Sequence, residues 1–287
     1  MTSPPTQQPA VRASEPDPLL TWRRLAWVFT RVYLILLLIF WLGQEVLLFP
    51  GVLRGEAEPI RELQRIEVEH AGGRATAWRY PSTHDRALLT FHGNAELCRA
   101  RLSDYGEWLD RLGFGWVCME YRGFDDVAGW PRQRTVVADG RALLHALPEH
   151  GLDVERVIVH GRSMGGGVAA QVAHDQPVAG LVLESTYDSV ANVASRKPPV
   201  MFFPVRWLLR SPFDSATALR GTALPVFQAH DIHDEVVPFR NGEALARAIG
   251  GGQFHVSAGQ PHGAPLVFMQ PARPAFVAWL EAQVPAR

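Results

Sequence analysis

The sequence predicts an α/β fold: a doubly wound, mostly parallel sheet, preceded by an N-terminal transmembrane helix. Three observations predict it. Short, nearly continuous apolar runs recur after residue 60, as expected of parallel strands covered on both faces. Segments with helical spacing of apolar residues lie between them. One run, Val157-Ile158-Val159, leads directly into Gly161-Arg162-Ser163-Met164-Gly165 and then into Gly166-Gly167-Val168-Ala169-Ala170, the order of a strand, a sharp turn and a helix.

Taken in order, residues 1–21 read as a disordered tail, since the first 18 carry five prolines and few apolar groups. Residues 22–49 read as a membrane-spanning helix with a juxtamembrane segment. Leu25 to Gly43 is 19 residues long and nearly all apolar, with one charge at Arg31. Trp22, Trp27, Tyr33 and Trp41 suit an interfacial belt. Arg23 and Arg24 precede the span, so the positive-inside rule places the N-terminus in the cytoplasm and the remaining domain, residues 50–287, outside it. Arg31 can snorkel toward the same side.

Within that domain, Arg65 to Tyr80 reads as a hairpin turned at Ala71-Gly72-Gly73. Leu88–Phe91, Val117–Tyr121, Val157–His160, Leu181–Glu184, Val226–His230 and Phe254–Val256 read as core strands. Val136–Ala146 and Glu243–Ile249 have helical periodicity. The sequence contains no internal repeat.

The G-x-S-x-G turn presents a serine oxygen, Ser163, as a nucleophile, and its glycines leave room where side chains would meet the neighbouring strand and helix. A nucleophilic serine needs a base and an acid, here expected downstream in the order acid, then histidine. After the apolar run Val226 to Ala229 comes a polar loop with Asp231, Asp234 and Glu235. Glu184 and Asp188, after the strand Gly180 to Leu183, offer a rival position. Asp234 is the favoured acid. Of the 11 histidines, only His255 and His262 follow the acid loop; His255 sits inside a strand pattern, whereas His262 lies in the loop after it. His262 is the favoured base.

Four stretches, in order, resemble the α/β-hydrolase superfamily, and most closely its membrane-anchored serine hydrolase branch, with lysophospholipase-like, serine-peptidase-like and depalmitoylase-like members. They are Phe91-His92-Gly93-Asn94-Ala95, similar to the oxyanion loop; Glu120-Tyr121-Arg122-Gly123-Phe124; the turn around Ser163; and Asp234-Glu235-Val236-Val237-Pro238 with His262. The resemblance implies a Ser163–His262–Asp234 triad. It also implies an oxyanion hole made by the N–H of Met164 and, to within one residue, the N–H of Asn94. Residues 187–223 then correspond to a small cap, and its centre, Pro198 to Leu209, is apolar and aromatic. An apolar cap on a membrane-tethered hydrolase points to an acyl or lipid-like substrate cleaved as an ester or thioester. Small peptides rank second, with Asp125 and Asp126 the sole hint of an acidic pocket for a substrate amine. A hydrolase fold without catalysis, kept as a binding module, ranks third. Asp231 replaces a glycine usual at that place, so it remains a competing acid.

The net charge of −1 argues against nucleic acid as a partner. There is no P-loop, no early G-x-G-x-x-G and no Cys/His cluster with metal spacing, so neither cofactor nor metal is expected. The two cysteines, Cys98 and Cys118, are read as free thiols.

Overall fold

The structure, a computed structural model, describes residues 18–58, 63–198, 200–260, 262–269 and 272–286. The first 17 residues of the expected disordered tail, Pro199 of the cap run and Pro261 beside His262 lie outside the described residues. The chain divides into two units, one ending at Leu42 and one beginning at Gly43. The first consists of helix α1 (Pro18–Leu48) up to Leu42. The helix is long and apolar enough to cross a membrane. Arg31 lies over the Trp27 ring at 4.9 Å.

The second unit is built on an eight-stranded sheet of order β1-β2-β4-β3-β5-β6-β7-β8. Its strands are β1 (Gln64–His70), β2 (Gly73–Tyr80), β3 (Ala87–Phe91), β4 (Gly115–Glu120), β5 (Val157–Arg162), β6 (Gly180–Glu184), β7 (Val226–Asp231) and β8 (Gln253–Ser257). The first two form the expected antiparallel hairpin, and β2 pairs antiparallel with β4. From β4 through β8 every pairing is parallel.

Side chains that alternate along a strand enter different cores. Leu89, Phe91, Val157, Val159, Leu181 and Leu183 pack on one face with residues of α3 (Gln133–Ala146) and α4 (Met164–Ala173). Leu88, Trp116, Ile158, Val182 and Phe227 pack on the other with residues of α2 (Cys98–Arg111) and α9 (Ala272–Gln283). Burying each such aliphatic or aromatic side chain stabilises the fold by about 1.5–3 kcal/mol. That double coverage is why the strands read as continuous apolar runs rather than alternating ones.

Between β6 and β7 lie α5 (Val190–Ala194), α6 (Val205–Leu208) and α7 (Ser215–Ala218), short helices occupying the expected cap region. Helix α8 (Phe239–Ile249) opens at Pro238 and stops at Gly250, whose φ of +77° requires a left-handed residue. Register then sets the site. Phe91 lies opposite Gly161, Arg162 opposite Glu184, Glu184 opposite Ala229 and Asp231 opposite Ser257. The carboxyl ends of five adjacent parallel strands, and the loops that leave them, therefore meet at one edge, where open α/β sheets form their sites.

The two cysteines are not free thiols: Cys98 and Cys118 form a disulfide. The expectation failed because sequence spacing does not show that the start of α2 packs against the middle of β4; their Cα atoms lie 5.8 Å apart, within bridging range.

Candidate active site

Ser163 stands between β5 and α4 with φ 53° and ψ −120°, a backbone conformation rare for a residue with a side chain. Such a conformation costs on the order of 1–3 kcal/mol and persists only where the surroundings impose it. Here they do. A Cβ on Gly165 would lie 2.0 Å from the Phe91 carbonyl oxygen, and one on Gly161 would lie 2.4 Å from that of Gly165. Only glycines let the turn close this tightly against β3. The Ser163 N–H donates to the Glu184 carbonyl at 2.8 Å, holding the turn to the end of β6.

The loop after β8 carries His262 to this serine. His262 Nε2 lies 2.9 Å from Ser163 Oγ, and its Nδ1 lies 2.7 Å from Asp234 Oδ2. The other Asp234 oxygen accepts the N–H groups of Val236 at 2.9 Å and Val237 at 2.8 Å. One carboxylate thus both braces the turn before α8 and orients the ring. With Nδ1–H donated to Asp234, Nε2 is left to accept the serine proton.

The rival acids have other partners. Asp231 accepts from the Ser257 hydroxyl at 3.0 Å and from the N–H groups of Gln260 at 2.8 Å and His233 at 2.8 Å. It ties the acid loop to the histidine loop without reaching the ring. Burial alone would raise its pKa, but the donated N–H and O–H groups hold it below the usual value. Glu235 is exposed. Asp188 accepts from the Asn241 amide at 2.8 Å. Glu184 accepts the Leu266 N–H at 2.6 Å and lies 3.4 Å from His160 Nε2. His255 sits in β8, opposite Ala229.

Met164 is the first residue of α4, where N–H groups lack intrahelical acceptors and the helix dipole favours negative charge. Asn94 lies in the loop between β3 and α2, and its carbonyl accepts the Gly51 N–H at 3.1 Å. The close approach of Gly165 to Phe91 and His92 brings this loop against the start of α4.

Two residues absent from the sequence-based candidates complete the site. The Arg162 guanidinium donates to the backbone carbonyl of His262 at 2.8 Å and also binds the Glu96 carboxylate. Glu96 in turn accepts the Gly93 N–H at 2.9 Å. Glu184 lies 3.5 Å from Arg162 Nε. Burial by itself would raise the Glu96 pKa; the adjacent Arg162 charge overrides it, and the carboxyl lies below its usual value. The one signal in the sequence was that Arg162 is the variable residue before the nucleophile; nothing in the spacing shows what it would meet.

Asp125 and Asp126 do not form an open acidic pocket. Asp125 is buried against Arg99, with Arg99 Nε at 2.6 Å, and accepts the Ala57 N–H at 2.9 Å; Asp126 pairs with Arg65. A cluster of His92, Cys98 and Glu120 has metal-ligand types within 4.8 Å of one another. The Cys98 sulfur is committed to the disulfide, and His92 Nε2 pairs with Glu120 at 3.0 Å, which accounts for all three groups. A cavity behind Arg162, lined by Thr90, Glu96, Leu97, Trp116, His160 and Phe268 among others, measures about 40 Å³. That is room for a water molecule and not for an acyl chain.

The family model described as serine aminopeptidase, S33, matches residues 82–231, more than half of the chain. An α/β-hydrolase domain-containing protein of Arabidopsis thaliana is 28% identical over 184 residues, covering 58% of this chain and 60% of the relative. An uncharacterized protein of Mycobacterium tuberculosis is 30% identical over 181 residues, covering 62% and 63%. The chain thus spans about three-fifths of the length of these relatives. Among solved structures, a Pyrococcus furiosus esterase superposes with a TM-score of 0.65 at 15% identity, covering 80% of this chain and 98% of the esterase. A puromycin-hydrolyzing peptidase of Mycobacterium tuberculosis superposes with a TM-score of 0.67 at 18% identity, covering 80% of this chain and 41% of the peptidase. At these identities the two superpositions show a shared fold.

Proposed function

Since the chain belongs to the α/β-hydrolase family described as serine aminopeptidase, S33, we propose that it is a membrane-anchored serine hydrolase cleaving carboxylic esters or thioesters of acyl or lipid-like substrates. The observation that carries this reading is the unbroken hydrogen-bond chain Ser163 Oγ, His262, Asp234, with links of 2.9 and 2.7 Å.

In the proposed reaction Ser163 Oγ attacks the carbonyl carbon while His262 Nε2 takes its proton. The negative oxygen of the tetrahedral adduct is held by the N–H groups of Met164 and Asn94; loss of one such donor typically costs about 2.7–4 kcal/mol. His262 returns the proton to the departing alcohol or thiol. Water then repeats the sequence on the acyl-enzyme and frees the acid. Asp234 keeps the ring in the tautomer that accepts at Nε2 and stabilises the imidazolium.

Helix α1 serves as the anchor in this proposal, with Arg23 and Arg24 on the cytoplasmic side and the hydrolase domain outside. The Cys98–Cys118 disulfide favours that sidedness, because disulfides persist in oxidising compartments. The peptidase alternative is weakened by the pairing of Asp125 and Asp126 with arginines, which leaves them unsuited to a substrate amine. A binding module without catalysis has no need of a fully bonded Ser–His–Asp chain.

The test is labelling of the detergent-solubilised full chain by a fluorophosphonate probe. Wild type is expected to label, and Ser163→Ala and His262→Ala to lose labelling. A folded wild type that stays unlabelled rejects the hydrolase reading. A labelled enzyme that cleaves peptides and not acyl esters or thioesters rejects the substrate class.

A further inference from the structure

The segment between β6 and β7 has an unusual outer surface. Trp207 is 89% exposed, the highest value among large apolar side chains of the described residues, with Phe202 at 69% and Met201 at 49%. By contrast Trp78, Trp116 and Trp279 are all buried. In α6, Val205 points inward, while Arg206 and Trp207 point to the surface. The 24 residues Val190–Phe213 contain Arg196, Lys197, Arg206 and Arg210 and no acid, in a chain of net charge −1.

Among the described residues most of this charge has no acidic partner. Lys197 Nζ donates to the Val236 carbonyl at 2.6 Å and Arg206 to the Asn192 amide oxygen at 2.7 Å, both neutral acceptors. Arg210 meets the carboxylate of Glu45, at 3.7 Å. Next to it, Arg134, Arg141 and Arg210 line an open depression that has no acidic lining residue.

The same segment is fastened to the end of α1 that belongs to the second unit. Gln44 Nε2 donates to the Leu208 carbonyl at 3.1 Å, and Gln44 Oε1 accepts the Arg210 N–H at 2.8 Å. The Ser211 hydroxyl bonds the buried Glu45 carboxylate at 3.1 Å. Leu208 is the residue after Trp207, and Gln44 comes directly after the 25–43 apolar stretch. Chain continuity alone therefore holds Trp207 close to the point where the chain leaves that stretch. The Lys197 bond to Val236, two residues beyond Asp234, keeps the segment beside the acid loop as well.

We propose that residues 190–198 and 200–213 form a bilayer-docking face: Trp207, Phe202 and Met201 enter the interface of an anionic membrane while Arg196, Lys197 and Arg206 meet its headgroups. Exposed aromatics beside cations are the arrangement that seats a protein on an anionic lipid surface. The role of the face is to deliver acyl substrate from the bilayer to Ser163. This rests on the membrane-anchored hydrolase reading above.

The test uses the full chain reconstituted in vesicles of phosphatidylethanolamine and phosphatidylglycerol, purified by flotation. Because the native cysteines are paired, Trp207→Cys can be labelled selectively with bimane, with Glu69→Cys on β1 as the reference. Lipids carrying doxyl groups are expected to quench the label at 207 several-fold more than at 69, and aqueous iodide the reverse. Equal accessibility of both labels to iodide, with no lipid quenching, overturns the proposal. Chain-to-chain cross-linking through position 207 overturns it too, assigning the face to a second copy.

A kinetic arm uses Trp207→Ala, a substitution at an exposed position that leaves the core intact. It is expected to lower the rate on a long-chain ester embedded in vesicles roughly tenfold, as loss of one interfacial aromatic implies. The rate on a water-soluble short-chain ester should not change. Equal losses on both substrates count against docking. A wild type that hydrolyses neither ester rejects the hydrolase reading, while the quenching still decides whether the face meets lipid.

Discussion

Arg162, the residue before the candidate nucleophile, donates a hydrogen bond of 2.8 Å to the backbone carbonyl of His262, the candidate base. The same guanidinium grips Glu96, which holds the Gly93 N–H in the loop between β3 and α2. One side chain therefore fastens the histidine loop and the loop after β3 to the turn that carries Ser163.

Arg162→Met is expected to lower kcat on a soluble ester by about 10- to 100-fold with little change in KM, since small displacements of catalytic groups have effects of that size. Arg162→Lys should recover a minor part, because a single ammonium cannot reproduce the fork that reaches both partners. Steady-state kinetics with melting curves checks this; a lower Tm with unaltered kcat would reduce Arg162 to a stability element.

Asp234 and Asp231 are separable. Asp234→Asn should cost about 10⁴ in kcat through loss of the productive tautomer. Asp231→Asn should retain most activity and melt lower, since its bonds run to Ser257 and to the backbone at Gln260 and His233. Phosphonylation rates of the two variants decide the assignment, and a reversal of the two effects would make Asp231 the acid.

The disulfide closes a loop of sequence separation 20. Loops of this size imply a stabilisation of about 3 kcal/mol. A Cys98→Ser/Cys118→Ser variant should melt roughly 6–12 °C lower in a domain of this length. Maleimide should modify the wild type only after unfolding and reduction; labelling of the unreduced, unfolded chain would show free thiols.

Glu96 makes stability pH-dependent. The folded carboxyl titrates below its ordinary value of 4.5 because the Arg162 charge outweighs the effect of burial. A depressed acid stabilises the fold above its unfolded pKa, and the contribution is lost as pH falls from about 4.5 through the lower folded value. Thermal melts between pH 7 and pH 3 should show a shallower acid limb for Glu96→Gln, together with a lower Tm at pH 7. An acid limb as steep as wild type would remove Glu96 from this role.

Gly165→Ala should be poorly tolerated. Its Cβ would sit 2.0 Å from a backbone oxygen of β3, which cannot rotate away as a side chain can. Destabilisation of about 3 kcal/mol is expected, with loss of probe labelling. A fully labelled, stable variant would show that the turn is looser than its geometry indicates.

Much of the architecture was legible because it depends on local patterns. The runs read as Leu88–Phe91 and Leu181–Glu184 became β3 and β6 with one residue added at the start of each. The hairpin turns at Ala71-Gly72, and Gly73 opens β2 with a φ of +120°. Helix boundaries were less legible. The periodicity of α3 begins at Val136, yet the helix starts at Gln133, where the Thr135 hydroxyl accepts the Arg132 N–H at 3.0 Å. By contrast α8 starts at Phe239, directly after Pro238, where the proline placed it.

By itself the sequence determined the order of strands and helices, the place of Ser163 on a turn that demands glycine, and the candidacy of Asp234 and His262. Each of these follows from residue type and short spacing along the chain. Only the tertiary structure decided that Asp234 rather than Asp231 faces His262, that Cys98 meets Cys118, and that Arg162, Glu96 and Glu184 form one polar cluster. Those contacts join residues 20 to 66 positions apart. They come into being when parallel strands pair in a given register, and register is a property of the assembled sheet that no local run of residues carries.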